Sequence, residues 1–264
     1  MGVSHIGLDV GRNGVKSFDG VSTRFIPSVV GEWRDRRLQS RSNDDIEVLF
    51  RGERSFVGNL ALNESEFWRY MMTDDKAHAD TRLLALVAIH RAGLTDDVVV
   101  TTGLPVELHT PEAKAAMRNL LLGRWEIEVN GDPRVIRIHD VKVAVEGGGA
   151  FWSAPADGLI RVIDAGSKTV NYVTMRNKRY VDRDSGTLPF GFNTNKTDNP
   201  RQMTARIAGE LGKKWSASDD VRICGGRAEE LAKLLRDYFV NARAMANPLY
   251  ANAIGFYRVG SGTT

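Results

Sequence analysis

Three segments place an acid, glycines and small polar or basic side chains in the order that phosphate chemistry requires. In Ile6-Gly7-Leu8-Asp9-Val10-Gly11-Arg12-Asn13-Gly14-Val15-Lys16, an apolar run ends in a carboxylate and a glycine, and a lysine follows on the returning stretch. Val162-Ile163-Asp164-Ala165-Gly166-Ser167-Lys168-Thr169 repeats the acid-x-glycine ending. Ile223-Cys224-Gly225-Gly226-Arg227-Ala228-Glu229 is a third apolar run that ends in glycines. A nucleotide needs backbone N–H groups close to its phosphates, a cation against their charge, and carboxylates that hold Mg2+ and orient water. Gly11 and Gly14 let a turn approach an anion without a Cβ in the way, and Lys16 carries an ammonium within reach. Gly166, Ser167 and Thr169 can do the same. Asp9 and Asp164, at the carboxyl ends of their strands, are expected to face each other across a cleft and to bind hydrated Mg2+ through water. A single acid-x-glycine is ordinarily a turn; the argument rests on the ordered set.

The elements that must position these residues follow from patterning. His5 to Gly11 and Val15 to Phe18 form a hairpin around Asn13-Gly14. Residues 22–63 read as a small insertion of loops and strand edges, with strand-like pieces at Thr23 to Pro27, Ile46 to Phe50 and Arg54 to Val57. Asp75 to Gly93 is predicted helical, with Leu83, Leu84, Val87 and Ala88 on one face. Val98 to Thr102 has the composition of a buried parallel strand. Thr110-Pro111-Glu112 opens a helix to about Leu122, since proline suits the first helical position and the acid meets the positive helix end. Trp125 to Val129 and Arg134 to Val145 are strands about the turn Asn130 to Pro133, and Gly147-Gly148-Gly149 begins a flexible or helix-entering segment. Leu159 to Gly166 then restarts the opening pattern, with Thr169 to Met175 as its hairpin partner. A helix is expected from Pro200 to Trp215. A second, after Gly226, is expected to carry Leu231, Leu234, Leu235, Tyr238 and Phe239 on one face. The echo predicts a duplicated α/β protein of two halves, 1–155 and 156–264.

These motifs resemble the superfamily that unites actins, heat-shock chaperone ATPases and sugar kinases. The Asp9 and Asp164 segments are similar to its first and second phosphate loops, and the Gly225 segment to its adenosine motif. Thr102-Gly103-Leu104-Pro105 and Ala251-Asn252-Ala253-Ile254-Gly255-Phe256-Tyr257 further resemble segments of the plasmid-segregating bacterial actins of the ParM/StbA family. The resemblance implies an actin-like, ribonuclease H-like duplicated α/β fold around a nucleotide cleft. It implies that Gly11, Arg12, Asn13, Gly14 and Lys16, then Gly166, Ser167, Lys168 and Thr169, then Gly225, Gly226, Arg227 and Glu229 contact ATP or GTP. Asp9 and Asp164 serve Mg2+ and catalysis in this reading, and Glu146 orients the attacking water; an acid at a helix start beside glycines is the alternative for Glu146. The short interval from Asp164 to Gly225 implies that the insertion subdomain of the second half is reduced or absent, as in shortened AlfA-like members. A base contact would then fall to the helix carrying Lys213 and Lys214, which equally suit an exposed surface. Arg227 stands where many relatives have a small residue, and stacking on the base, a phosphate contact and a solvent position are all open to it. The function implied is nucleotide-driven head-to-tail filament assembly with hydrolysis of ATP or GTP, acting on plasmid DNA through a ParR-type adapter.

Composition narrows the rest. The chain has 264 residues, 42% of them hydrophobic and 26% charged, which is ordinary for a globular core of one or two domains. A net charge of +3 lacks the basic excess of a direct nucleic-acid binder, and Arg34, Arg36, Arg37 and Arg41 read as a solvated face. One cysteine, Cys224, excludes an internal disulfide. No apolar run suits a membrane span and the first residues lack a signal pattern, so a cytoplasmic location is expected. His5, His78, His90, His109 and His139 lack metal-ligand spacing, and Trp33, Trp68, Trp125, Trp152 and Trp215 read as core or interface anchors. The alternatives are a small-molecule kinase of the same superfamily, for example one similar to type III pantothenate kinases, and a nucleotide-binding scaffold with little hydrolysis. A Rossmann dehydrogenase is disfavoured, because Gly11 to Gly14 lacks the third glycine and leads into a strand.

Overall fold

The computed structural model describes residues 2–37, 42–71, 76–194 and 199–263. It divides into two compact units, Met1–Thr102 with Pro111–Val143, and Gly103–Thr110 with Ala144–Thr264.

The first unit is built on β1 (Ser4–Val10), β2 (Gly14–Phe18), β3 (Thr23–Pro27), β4 (Val29–Glu32), β5 (Ile46–Phe50), β6 (Glu53–Val57), α1 (Asn59–Glu64), β7 (Trp68–Tyr70), α2 (Ala79–Ala92), β8 (Asp97–Leu104), α3 (Pro111–Leu121), β9 (Gly123–Val129) and β10 (Asp132–Val145). Its ten strands form one sheet in the order β3-β2-β1-β8-β10-β9-β5-β6-β4-β7. The strand-like pieces expected within 22–63 are β3, β5 and β6. They do not stand apart as loops and edges, because β5 pairs with β9 and continues the sheet. β4, α1 and β7 are additions that the patterning did not reveal. Helix α2 is capped by the His78 ring, which accepts from the Asp80 N–H, and it stops at left-handed Gly93. The expected start at Asp75 lies outside the described residues, as does Arg41. Leu83 to Ile89 are all buried, so α2 is apolar all round and has no single core face.

The second unit contains α4 (Gly148–Ser153), β11 (Leu159–Ala165), β12 (Val170–Arg176), β13 (Arg179–Tyr180), β14 (Gly186–Leu188), α5 (Pro200–Leu211), β15 (Asp220–Cys224), α6 (Ala228–Leu235), β16 (Arg243–Ala244) and α7 (Ala251–Ser261). Its sheet runs β13-β12-β11-β15-β16, with β14 also on β12. Alternation along the strands sends side chains to two cores. Ile163, Tyr172 and Ile223 pack with α5 and α6 on one face, while Val162, Val173 and Cys224 pack with α4 and α7 residues on the other. Asn199 caps α5 by accepting from the Gln202 N–H, and Pro200 takes the first turn.

Two helices end earlier than periodicity suggests. α5 stops at Leu211, and Trp215 is buried from the turn that follows. α6 stops at Leu235, because the Tyr238 N–H bonds to the Leu235 carbonyl in a tightened turn and the chain must reach β16 within a few residues. Tyr238 is consequently 45% exposed, whereas Phe239 still reaches the core.

Both units share a local plan. β1 pairs antiparallel with β2 and parallel with β8; β11 pairs antiparallel with β12 and parallel with β15. The sequence echo is therefore a structural repeat.

Candidate functional site

The two hairpins are built alike. In the first, Val10 lies opposite Val15 and Asp9 opposite Lys16, and the Gly11 N–H closes the turn on the Gly14 carbonyl at 3.2 Å. In the second, Ala165 lies opposite Val170 and Asp164 opposite Asn171, and the Gly166 N–H bonds to the Thr169 carbonyl at 3.0 Å. Arg12 and Asn13, and Ser167 and Lys168, form the two tips. Gly166 to Thr169 are all half-buried, so the second tip is set into its unit.

Each turn has its own brace. The Ser28 hydroxyl donates to the Gly11 carbonyl at 2.6 Å, and the Ser28 N–H to the Asn13 carbonyl at 3.3 Å. Gly14 is required because the Phe25 ring occupies the place of a Cβ. In the second hairpin the Phe192 N–H reaches the Gly166 carbonyl at 3.2 Å and the Asn193 N–H the Ser167 carbonyl at 2.7 Å. These come from a turn in which Gly191 packs directly on the backbone of Ser167 and Lys168.

The carboxylates differ in surroundings. Asp9 is paired with Lys16 across the hairpin, Oδ2 to Nζ 3.5 Å, and both side chains are partly open to solvent. Asp164 is 8% exposed and accepts from the Asn252 Nδ2 at 2.9 Å. Glu146, 6% exposed, follows the end of β10, and its Oε2 accepts from the Asn171 Nδ2 at 3.0 Å. Asn171 and Asn252 are site neighbours that the motifs did not identify. The signal for Asn252 was its place in the Ala251 to Tyr257 segment; Asn171 carried none.

Gly225 adopts φ +105°, and a Cβ there would collide with the Ala165 carbonyl, which brings the turn before α6 hard against β11. Arg227 does not extend into solvent. Its guanidinium lies over the Phe192 ring at 4.7 Å and its Nε donates to Glu230 at 2.8 Å. It thereby joins the glycine turn to the brace of the second hairpin. Glu229 is exposed on the first turn of α6. Lys213 follows the end of α5, is 69% exposed and pairs with Glu210 at 3.0 Å, whereas Lys214 donates to the Tyr172 hydroxyl at 2.8 Å. The structure thus gathers Asp164, Gly166 to Thr169, Glu146, Gly225 to Arg227 within the second unit and Asp9 to Lys16 within the first.

Residues 7–149 match the family described as actin-like proteins, N-terminal domain. No curated protein sequence matches. Among solved structures, an AlfA filament bound to AMPPNP aligns over 99% of this chain and 98% of its own, with a TM-score of 0.76 and 20% identity. A 15-stranded ParM filament from Clostridium botulinum aligns over 99% and 100%, with a TM-score of 0.83 and 19% identity. An archaeal actin homologue in complex with ADP aligns over 99% and 100%, with a TM-score of 0.79 and 16% identity. At these identities the likeness establishes the α/β actin-like fold. With the family match covering more than half of the chain, the protein belongs to the actin-like family.

Proposed function

We propose that the protein is a nucleotide-dependent polymerising actin-like protein that binds and hydrolyses ATP or GTP, assembles head to tail, and acts in plasmid DNA segregation through a ParR-type adapter in the cytoplasm. The observation that carries this reading is the repeated hairpin, with a carboxylate at the same register position in each and a backbone-closed tip beyond it. Filaments among the similar structures support the assembly, and the AMPPNP and ADP in two of them support the nucleotide. A contact that does not close on itself propagates as an open filament.

In this reading Gly11, Arg12, Asn13 and Gly14, and Gly166, Ser167, Lys168 and Thr169, present backbone to the phosphates of one nucleotide. Lys16 supplies a cation. Gly225, Gly226, Arg227 and Glu229 serve the base end, with Lys213 as a further contact. Among the described residues no three His, Cys, Asp or Glu side chains gather as a metal cage. Asp9 and Asp164, each the acid at the same register position of its own hairpin, are the carboxylates that would hold Mg2+, an ion that keeps its waters and takes one or two carboxylates together with phosphates. Mg2+ bound there would supply positive charge against the phosphates. Glu146, held by Asn171, orients the attacking water.

Right-angle light scattering with negative-stain imaging, after addition of Mg-ATP, Mg-GTP or buffer, tests the reading. A nucleotide-dependent rise with filaments is expected, and Glu146→Ala is expected to lower hydrolysis by about 10²-fold. Monomers in every condition, with nucleotide consumption that responds to an added metabolite, would replace it with the small-molecule kinase.

A further inference from the structure

We infer that Asn252 and Asn171 are positioning residues: their two side-chain amides close a buried ring that holds the Asp164 and Glu146 carboxylates in fixed orientation. This rests on the roles proposed above for those carboxylates. The path runs from Asp164 to Asn171 through hydrogen bonds and one peptide bond, and the strand register closes it. Asn252 Nδ2 donates to Asp164 Oδ2 at 2.9 Å, and Asn252 Oδ1 accepts from the Gly147 and Ala150 N–H groups, each at 3.0 Å. Gly147 is joined by its peptide bond to Glu146, whose Oε2 accepts from Asn171 Nδ2 at 3.0 Å. Asn171 stands opposite Asp164 in the β11–β12 register, which returns the path to its start.

A capping role alone does not account for these residue types. Helix α4 has Gly147 at its N-cap, with φ +78° and no side chain to offer, so Asn252 supplies the missing acceptor from α7. An aspartate carboxylate, which has the same reach, would supply the acceptor equally well. An amide of this reach accepts from the helix end with its oxygen and donates to the carboxylate with its nitrogen, a combination an ionised carboxylate in its place cannot make. The two backbone donors decide which end of the amide is oxygen, and so which end faces Asp164. Asn171 is used in the same way: its Oδ1 accepts from the Thr187 hydroxyl at 2.8 Å while its Nδ2 serves Glu146.

A neutral donor has a further consequence. Lys16 orients Asp9 with a charged donor, whereas the Asn252 amide orients Asp164 with a neutral one. An amide fixes the carboxylate without itself adding a positive charge that would compete with a hydrated cation. The four side chains are between 2% and 8% exposed, so each hydrogen bond operates with little competition from water. The mounting is stiff as well. A Cβ on Gly255 would collide with the Gly149 carbonyl, so α7 lies against α4 with no room to shift Asn252.

The test separates acceptor from donor. Asn252→Asp keeps the acceptor for Gly147 and Ala150 but sets a carboxylate where Asp164 needs a donor. Asn171→Asp does the same to Glu146. Binding of a fluorescent ATP or GTP analogue is titrated at several Mg2+ concentrations and in EDTA, hydrolysis is measured in parallel, and thermal melts report folding. Asn252→Asp is expected to weaken Mg2+-dependent binding by about tenfold or more, with binding in EDTA unchanged. Asn171→Asp is expected to leave affinity within about twofold and to lower turnover by about tenfold. If Asn252→Asp fails to fold, Asn252→Ala, which withdraws both the cap and the donor, carries the same expectation for Mg2+-dependent binding, and its thermal melt reports the loss of the cap. Folded variants with the affinity, Mg2+ dependence and turnover of the parent overturn the inference alone. A parent protein without Mg2+-dependent nucleotide binding overturns the functional reading, and the inference with it.

Discussion

The two hairpins show what a duplicated framework preserves and what it releases. Backbone geometry is kept: the same antiparallel register, the same turn closed from its first N–H, the same parallel neighbour on the far side of the first strand. The side chain opposite the acid is not kept. In the first hairpin it is Lys16, which pairs with Asp9 across a partly open surface. In the second it is Asn171, turned to Glu146, while Asp164 takes its partner from the distant helix α7. One acid meets a lysine within its own hairpin; the other meets a side-chain amide brought from a helix 88 positions along the chain. Replacing a partner should therefore be a local event in the first hairpin and a non-local one in the second.

The strongest test of that contrast is removal of each acid. Asp164→Ala and Asp9→Ala are both expected to weaken Mg-nucleotide binding, Asp164→Ala by about 10²-fold or more. Their effects on stability should part. Loss of Asp164 leaves the Asn252 Nδ2 buried without its acceptor, a cost of about 1–3 kcal/mol. Loss of Asp9 removes one 3.5 Å contact to Lys16, whose flexible stem lets the ammonium turn toward water, so a cost of about 1 kcal/mol is expected. Binding titrations and thermal melts on both variants decide it. A larger melting shift for Asp9→Ala would end the contrast.

The hairpins were legible in the sequence because their signals are local: an apolar run, an acid, glycines and a returning strand within a dozen residues. β3, β5 and β6 were legible for the same reason. β4 was hidden because Val29 follows Pro27 after a single serine, so that no turn signal separates it from β3. A strand as short as Trp68–Tyr70 has no period to read. The run through Tyr238 and Phe239 looked helical because apolar residues fall at i, i+7 and i+8 of Leu231; in the structure Phe239 reaches the same core from a turn and Tyr238 is left exposed. The partners of the site were least visible. Asn252 meets Asp164 across 88 positions of chain, and an asparagine among small residues gives no sign of which carboxylate it will find. Gly191 belongs to no motif, although its lack of a side chain lets its turn press on the second hairpin.

That brace supplies the next test. A Cβ at Gly191 would lie 2.6 Å from the backbone of Ser167 and Lys168, atoms that cannot rotate away. Gly191→Ala should displace the hairpin tip, cost about 1–3 kcal/mol as overpacking does, and weaken nucleotide binding. The counterpart, Ser28→Ala, deletes one hydroxyl bond to the Gly11 carbonyl and retains the Ser28 N–H bond to Asn13, so about 1 kcal/mol is expected. The pair is compared by thermal melts and nucleotide titration. Equal effects would mean that the two turns are held with similar rigidity, contrary to the difference in their braces.

The mildest way to divide the units is pH. Burial holds the His90 imidazole, on α2 of the first unit, below its ordinary value of 6.5, helped by the charges of Arg134 and Arg91 and opposed by Asp132, whose carbonyl its Nε2 reaches at 2.9 Å. The unfolded chain therefore takes up this proton at a higher pH than the folded one, and as pH falls through 6.5 unfolding is favoured. Stability contributed by neutral His90 is present above that pH and declines below it. Hydrogen exchange at pH 7.5 and 5.5, corrected for intrinsic rates, should show loosening of the α2 amides with little change in β11 and β12, and the effect should be smaller than either acid or glycine substitution produces. His90→Gln retains a donor for the Asp132 carbonyl but cannot titrate, so it should flatten the pH response of α2. A response that persists in His90→Gln would assign the acid sensitivity to another group, and equal loosening of β11 and β12 would show that the two units do not separate under mild acid.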